Sequence, residues 1–137
     1  MKKIELVSEI DLNGLYSWLQ HPEAGGIDLF IGSVRNHAHG KSVIKLVFEG
    51  YEPMAIHQMN KLADQAIKQW PLKRLLMIHA LGSKNIGDPV VVIGVATAHR
   101  NDAFEACKFL IDELKNTVPI WKKEHFTDHT VWVNAHP

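Results

Sequence analysis

The sequence predicts an α+β fold: a single layered domain over residues 1–137, built on a mixed or antiparallel sheet with two long helices. Three observations carry that expectation. Two stretches repeat apolar residues at helical spacing, one after Pro53 and one after Asp102. Between them, Val90-Val-Val-Ile-Gly-Val-Ala-Thr-Ala98 is an almost unbroken apolar run rich in β-branched side chains, as a strand buried on both faces requires. Two or three strand-like segments precede the first long helix and two follow it, which departs from strict alternation of strand and helix.

Taken in order, Asp11 to Gln20 reads as a short helix, with Leu12, Leu15, Tyr16 and Leu19 on one side and His21-Pro22 ending it. Gly25-Gly26 marks a turn. Ile27 to Val34 has strand character, with Gly32 permitting close backbone approach, and Arg35-Asn-His-Ala-His-Gly40 follows as a polar loop. Ser42 to Tyr51 resumes the strand pattern. Pro53 suits a first helical turn, and Ala55, Met59, Leu62, Ala63, Ala66, Ile67 and Trp70 continue it until Pro71. Leu75 to His79 is a short apolar strand, and Gly82 to Pro89 a turn-rich connection into the central run.

The second long helix extends from about Asp102 to Asn116. Asn101 and Asp102 are cap candidates, and Glu105 would complete a capping box. Pro119 stops this helix, leaving Ile120 to Phe126 irregular or briefly helical and Thr130 to Val133 as a last strand.

Fifteen Lys plus Arg balance fifteen Asp plus Glu, so no global charge draws the chain to nucleic acid or to an anionic membrane. No apolar run reaches the roughly 18 residues of a membrane span, and Glu5, Glu9 and Asp11 interrupt any signal-like stretch. A cytoplasmic protein is the simplest reading. The lone cysteine, Cys107, shares a helix side with Ala103, Leu110 and Leu114 and is expected in the core rather than as a nucleophile.

The nine histidines offer only His37-x-His39 and His125-x-x-x-His129 as close spacings, and no His-Glu-x-x-His pattern occurs, so no metal site is assigned. Ser33 and Ser83 lack the glycine framing of a nucleophile elbow. Gly82-Ser-Lys-Asn-Ile-Gly87 lacks the Gly-Lys-Ser/Thr ending of a phosphate loop and precedes a strand, so it is a turn.

The cations are more informative. Arg35 ends one strand, His99-Arg100 end another beside a helix N-terminus, Lys115 closes the long helix, and Lys122-Lys123 follow a proline-fixed bend. Singly, each reads as a solvated surface charge; together, strand ends and helix ends can converge on one pocket. Arginine recognises phosphate bidentately, histidine moves protons near neutrality, and lysine is a point charge whose pKa falls with burial and crowding. Such a set suits a phosphorylated substrate.

At these residues the chain resembles the large, catalytic subunit of molybdopterin synthase. The resemblance is carried by Phe30-Ile-Gly-Ser-Val-Arg-Asn36, Phe48-Glu-Gly-Tyr-Glu-Pro-Met-Ala55, Ala98-His-Arg100, Ala103-Phe-Glu-Ala106, Asp112-Glu-Leu-Lys115 and Val118-Pro-Ile-Trp-Lys-Lys-Glu124. It implies an α/β-hammerhead type of fold and a sulfurtransferase of molybdenum cofactor biosynthesis. Cyclic pyranopterin monophosphate would become molybdopterin with two sulfurs from the C-terminal Gly-Gly thiocarboxylate of a small ubiquitin-like partner subunit. By the resemblance, Arg35, His99 and Arg100 hold the pterin phosphate beside Ser33 and Val34. Lys115 and Lys122 are the catalytic lysines, which also contact substrate, and Lys123-Glu124 complete the pocket.

No metal or redox cofactor is implied. The implied assembly is a homodimer of this subunit within a heterotetramer, in which both catalytic subunits can contribute to one site. Two positions depart from the family pattern: Ala80 stands where arginine is common after His79, and Asp128-His129 replaces a frequent Asp-Gly turn. Two alternatives remain, a non-catalytic scaffold subunit of the same assembly and a metal-dependent phosphate-ester hydrolase.

Overall fold

The structure is a computed structural model and describes residues 1–127 and 129–134. In chain order the elements are β1 (Lys2–Val7), α1 (Leu15–Leu19), β2 (Gly26–Ser33), β3 (His37–Ala38), β4 (Lys41–Gly50) and α2 (Glu52–Gln69). There follow β5 (Leu72–Ala80), β6 (Gly82–Asn85), β7 (Pro89–Thr97), α3 (Arg100–Thr117), β8 (Ile120–Phe126) and β9 (Thr130–Asn134). The expected α+β class, with mixed strand directions and two long helices, is observed. The strands divide into two sheets.

The first sheet has the order β1-β5-β7-β2, with β1 and β5 parallel and the other pairs antiparallel. Its inner strands β5 and β7 are buried almost throughout, which explains their unbroken apolar sequences. Alternation along the strands splits two cores. Leu75, Met77, Ile93 and Val95 face α2 and α3, whereas Leu76, Ile78 and Val92 face Leu15 and Leu19 of α1. Met59, Leu62, Leu110 and Leu114 are the helical side of the larger core. Each such side chain contributes about 1.5–3 kcal/mol through burial.

The second sheet has the order β3-β4-β8-β9, with β6 also paired to β4. Three segments here differ from expectation, the first being His37–Ala38, a short strand paired with β4 where a polar loop was expected. Ile120–Phe126, expected to be irregular or briefly helical, is a strand paired with β4. Its alternation of buried Ile120, Glu124 and Phe126 with outward Trp121, Lys123 and His125 is the pleat of a half-buried strand. Gly82–Asn85, expected as a turn, also pairs with β4.

The first short helix occupies Leu15–Leu19 instead of Asp11 to Gln20. Asp11 accepts a 2.9 Å hydrogen bond from the Asn13 backbone N–H, and Gly14 takes a φ of 80°, so the chain turns before the helix starts. Leu15 and Leu19 are buried, while Leu12 and Tyr16 are exposed. At the second long helix the capping box does not form. The N-cap is His99, with extended backbone, so Asp102 lies inside the first turn. The Asp128-His129 departure includes a position outside the described residues.

His79 is fully buried, sits edge-on to Phe48, and its Nδ1–H donates to the Ala80 carbonyl at 2.8 Å. Burial pushes its imidazole down to about 4, against a smaller upward effect of that hydrogen bond. The native state therefore binds fewer protons than the unfolded chain below the ordinary value of 6.5. Stability from this group is complete above that value and is lost as pH falls to about 4. The loss should be about 3 kcal/mol in urea titrations across that range. In His79→Leu this part of the acid-side slope should vanish, and its persistence would assign the slope to other groups.

Candidate active site

Four of the expected site residues meet in one cavity of about 430 Å³: Ser33, Arg35, Lys115 and Lys122, with Phe30 and Phe48 as apolar walls. They arrive from three parts of the chain. Ser33 ends β2, Arg35 follows it, Lys115 lies in the last turn of α3, and Lys122 is an inward residue of β8. A cation in that last turn is favoured by the helix dipole.

Lys122 is 17% exposed and its Nζ lies 3.8 Å from Oε2 of Glu124, which is 2% exposed. Burial pulls the Lys122 ammonium below the ordinary lysine value; Glu124 opposes this, and the charges of Lys115 and Arg35 reinforce it. The second Glu124 oxygen, Oε1, has no hydrogen-bond partner among the described residues and lies 3.4 Å from His39 Nε2. Lysine is thereby tuned toward proton exchange, with a carboxylate beside it to retain the charge balance.

Glu124, although beside Lys122, does not itself line the cavity, and neither do Val34 and Lys123. Val34 is a core side chain, and its backbone is tied to the turn before β7 through Asp88 O (3.1 Å) and Gly87 N (2.9 Å). Those bonds fix the chain just before Arg35. Lys123 points to the opposite face of β8 from Lys122, with Lys45 and His125, because successive strand residues alternate. Those two lysines, after burial itself, hold the His125 imidazole below its ordinary value.

His99 and Arg100 are not in this cavity. They line another, of about 550 Å³, with Gly25, Ala98, Asn101 and Phe104 at the N-terminus of α3. Gly25 is required there, since a Cβ would stand 2.5 Å from the Ala98 carbonyl oxygen. The two cavities sit at opposite ends of both β7 and α3. Arg100 and Lys115 are fifteen helical residues apart, roughly 22 Å along the axis. The expected convergence of all the cations therefore does not occur within one chain.

Sequence reasoning missed His39, Phe30 and Phe48. Only the aromatic residues fell in recognisable strand patterns, and nothing in the order of residues places His39 over Glu124. Among the described residues no group of three or more His, Cys, Asp or Glu is arranged to hold a metal ion. No helix among them is long and apolar enough to cross a membrane. Cys107 is buried, its thiol pushed up to about 12 by burial and by Asp28.

Fold and site define a class: a two-sheet α+β protein with two separate cavities lined by cations, chemistry suited to an anionic ligand. The family model described as MoaE protein matches residues 7–117. A molybdopterin synthase catalytic subunit of Arabidopsis thaliana is 39% identical over 130 residues, which cover 95% of this chain and 63% of that protein. One from Halalkalibacterium halodurans is 42% identical over 113 residues, 82% of this chain and 72% of that one. The crystal structure of molybdopterin synthase from Staphylococcus aureus aligns with a TM-score of 0.88 at 30% identity, covering 94% of each chain. The chain belongs to the MoaE family. It spans less than two thirds of the length of the Arabidopsis relative.

Replacing Glu124 by Gln removes the one charge that raises Lys122 and leaves burial, Lys115 and Arg35 acting downward. The titration midpoint of Lys122, followed by amine-selective labelling and peptide mass spectrometry, should fall in Glu124→Gln. A rise would reverse the assigned sign.

Proposed function

We propose that this chain is the catalytic subunit of a molybdopterin synthase, a sulfurtransferase that inserts the two dithiolene sulfurs into cyclic pyranopterin monophosphate. The sulfur donor is the C-terminal Gly-Gly thiocarboxylate of a small ubiquitin-like partner subunit. The observation that carries the proposal is the cavity lined by Arg35, Lys115 and a half-buried Lys122. Membership of the MoaE family supplies the substrate class. The proposal takes residues 1–137 as one catalytic domain acting in the cytoplasm.

The cations divide the chemistry. Arginine side chains neutralise phosphate, so the electron-rich thiocarboxylate can approach an anionic substrate. Lys122, held below the ordinary lysine value, can give and regain a proton as sulfur adds and oxygen leaves as water, after which water cleaves the partner's acyl–sulfur bond and returns its carboxylate. Lys115 supplies fixed positive charge over the developing anion from the rim of the same cavity. A desolvated, carboxylate-flanked lysine is costly to maintain, which favours this catalytic reading over a scaffold.

The separation of the half-sites calls for two copies. We infer that His99 and Arg100 of one subunit face the Arg35, Lys115 and Lys122 cavity of the other, as in a twofold dimer flanked by two small subunits. In such a dimer each interface completes one site.

Lys115→Ala should abolish most dithiolene formation while leaving fold and dimer intact. Arg100→Ala should also be strongly impaired. Refolded together, the two variants should regain roughly a quarter of native turnover, because half the dimers are mixed and each mixed dimer carries one intact site. No recovery, with mixed dimers verified by mass spectrometry, would place all the cations in one chain's site and contradict the shared arrangement.

A further inference from the structure

The β3–β4 hairpin turns through His39 and Gly40, with φ of 53° and 74°. Positive φ at both central positions is the type I′ turn, whose twist matches the flanking strands. Asparagine and glycine occupy it readily; histidine does so at a steric cost. From this turn the His39 ring reaches β8, where its Nε2 lies 3.4 Å from Glu124 Oε1. Glu124 is 2% exposed and Oε1 has no hydrogen-bond partner among the described residues, while Oε2 faces Lys122 at 3.8 Å. A buried carboxylate oxygen without a donor is expensive, and His39 is the polar group placed to relieve it.

We propose that His39 is a positioning residue for Lys122: it engages Oε1 of Glu124 and so limits how fully that carboxylate pairs with the Lys122 ammonium. The inference rests on the proposed role of Lys122 for its consequence in catalysis, although the contact itself is measurable without turnover. Lys122 is faced by Glu124 on its own strand, by Lys115 of α3 and by Arg35 after β2. Glu124 is faced by Lys122 and by His39. With His39 present the carboxylate is shared between two cationic or donating groups. Without it the carboxylate turns wholly to Lys122, which then holds its proton to higher pH.

His39→Asn isolates the effect, because Asn-Gly is a preferred type I′ pair and the shorter side chain does not reach Glu124. In the full chain, amine-selective labelling of Lys122 against pH should give a midpoint about half a pH unit higher in His39→Asn, the scale on which a carboxylate a few ångströms away moves an ammonium. His39→Gln, whose amide N–H can donate to Oε1, should return the midpoint toward native. In a Glu124→Gln background His39→Asn should move nothing, since the coupling runs through the carboxylate. An unmoved midpoint in His39→Asn, or an equal rise without the Glu124 charge, overturns the inference. Turnover that survives Lys122→Ala would instead overturn the catalytic role of Lys122, a separate result.

Discussion

The packing of α3 along β7 and β2 holds its ends about 27 Å apart, given 18 residues at 1.5 Å rise. Much of the rest follows from that spacing. The N-terminal end presents His99 and Arg100 with unsatisfied backbone N–H groups, an environment that favours anions. The C-terminal end presents Lys115 beside β8 and the end of β2. Leu110, Leu114, Ala103 and Ala106 are buried against the sheet, so neither end can swing toward the other without opening the core. One chain thus carries two cationic ends too far apart to meet on one small ligand, and the proposed pairing of two copies resolves the geometry.

The second constraint is the charge buried in β8. A strand carrying Lys122 and Glu124 inward, between buried Ile120 and Phe126, gives up apolar packing at two positions. Taking a carboxylate and an ammonium out of water costs several kcal/mol per ion before their attraction is counted, so such a pair is weak as a stabiliser. The pair sits where β4 and β8 are firmly laddered, which fixes Lys122 against Arg35 and Lys115 on other elements.

Much of the fold was legible in the sequence. The period of α2, from Ala55 through Ala66, and the β-branched run of β7 identify themselves, because burial on one helical face or on both strand faces dictates residue type. β6 and β8 were not legible. Gly82–Asn85 holds almost no apolar side chain, and Ile120–Phe126 interrupts its apolar alternation with the charged Lys122 and Glu124. Both are defined by pairing with β4, a long-range contact that no local pattern reports. The capping box failed because His99 is held in extended conformation, with Thr97 Oγ1 donating to its carbonyl at 2.6 Å, and the helix starts before Asp102. For the site, the family resemblance singled out the cations as candidates. Strand alternation, which turns Lys123 away, and the helix length, which separates Arg100 from Lys115, needed the fold.

The central claim is that this chain transfers sulfur through its cationic cavity. It is tested most directly by mixing the purified chain with thiocarboxylated small subunit and cyclic pyranopterin monophosphate, without added metal, and following the product. Formation of the dithiolene with two sulfurs per pterin is the expected result. Complex formation with the small subunit but no dithiolene would contradict the account and favour a scaffold that has kept the fold.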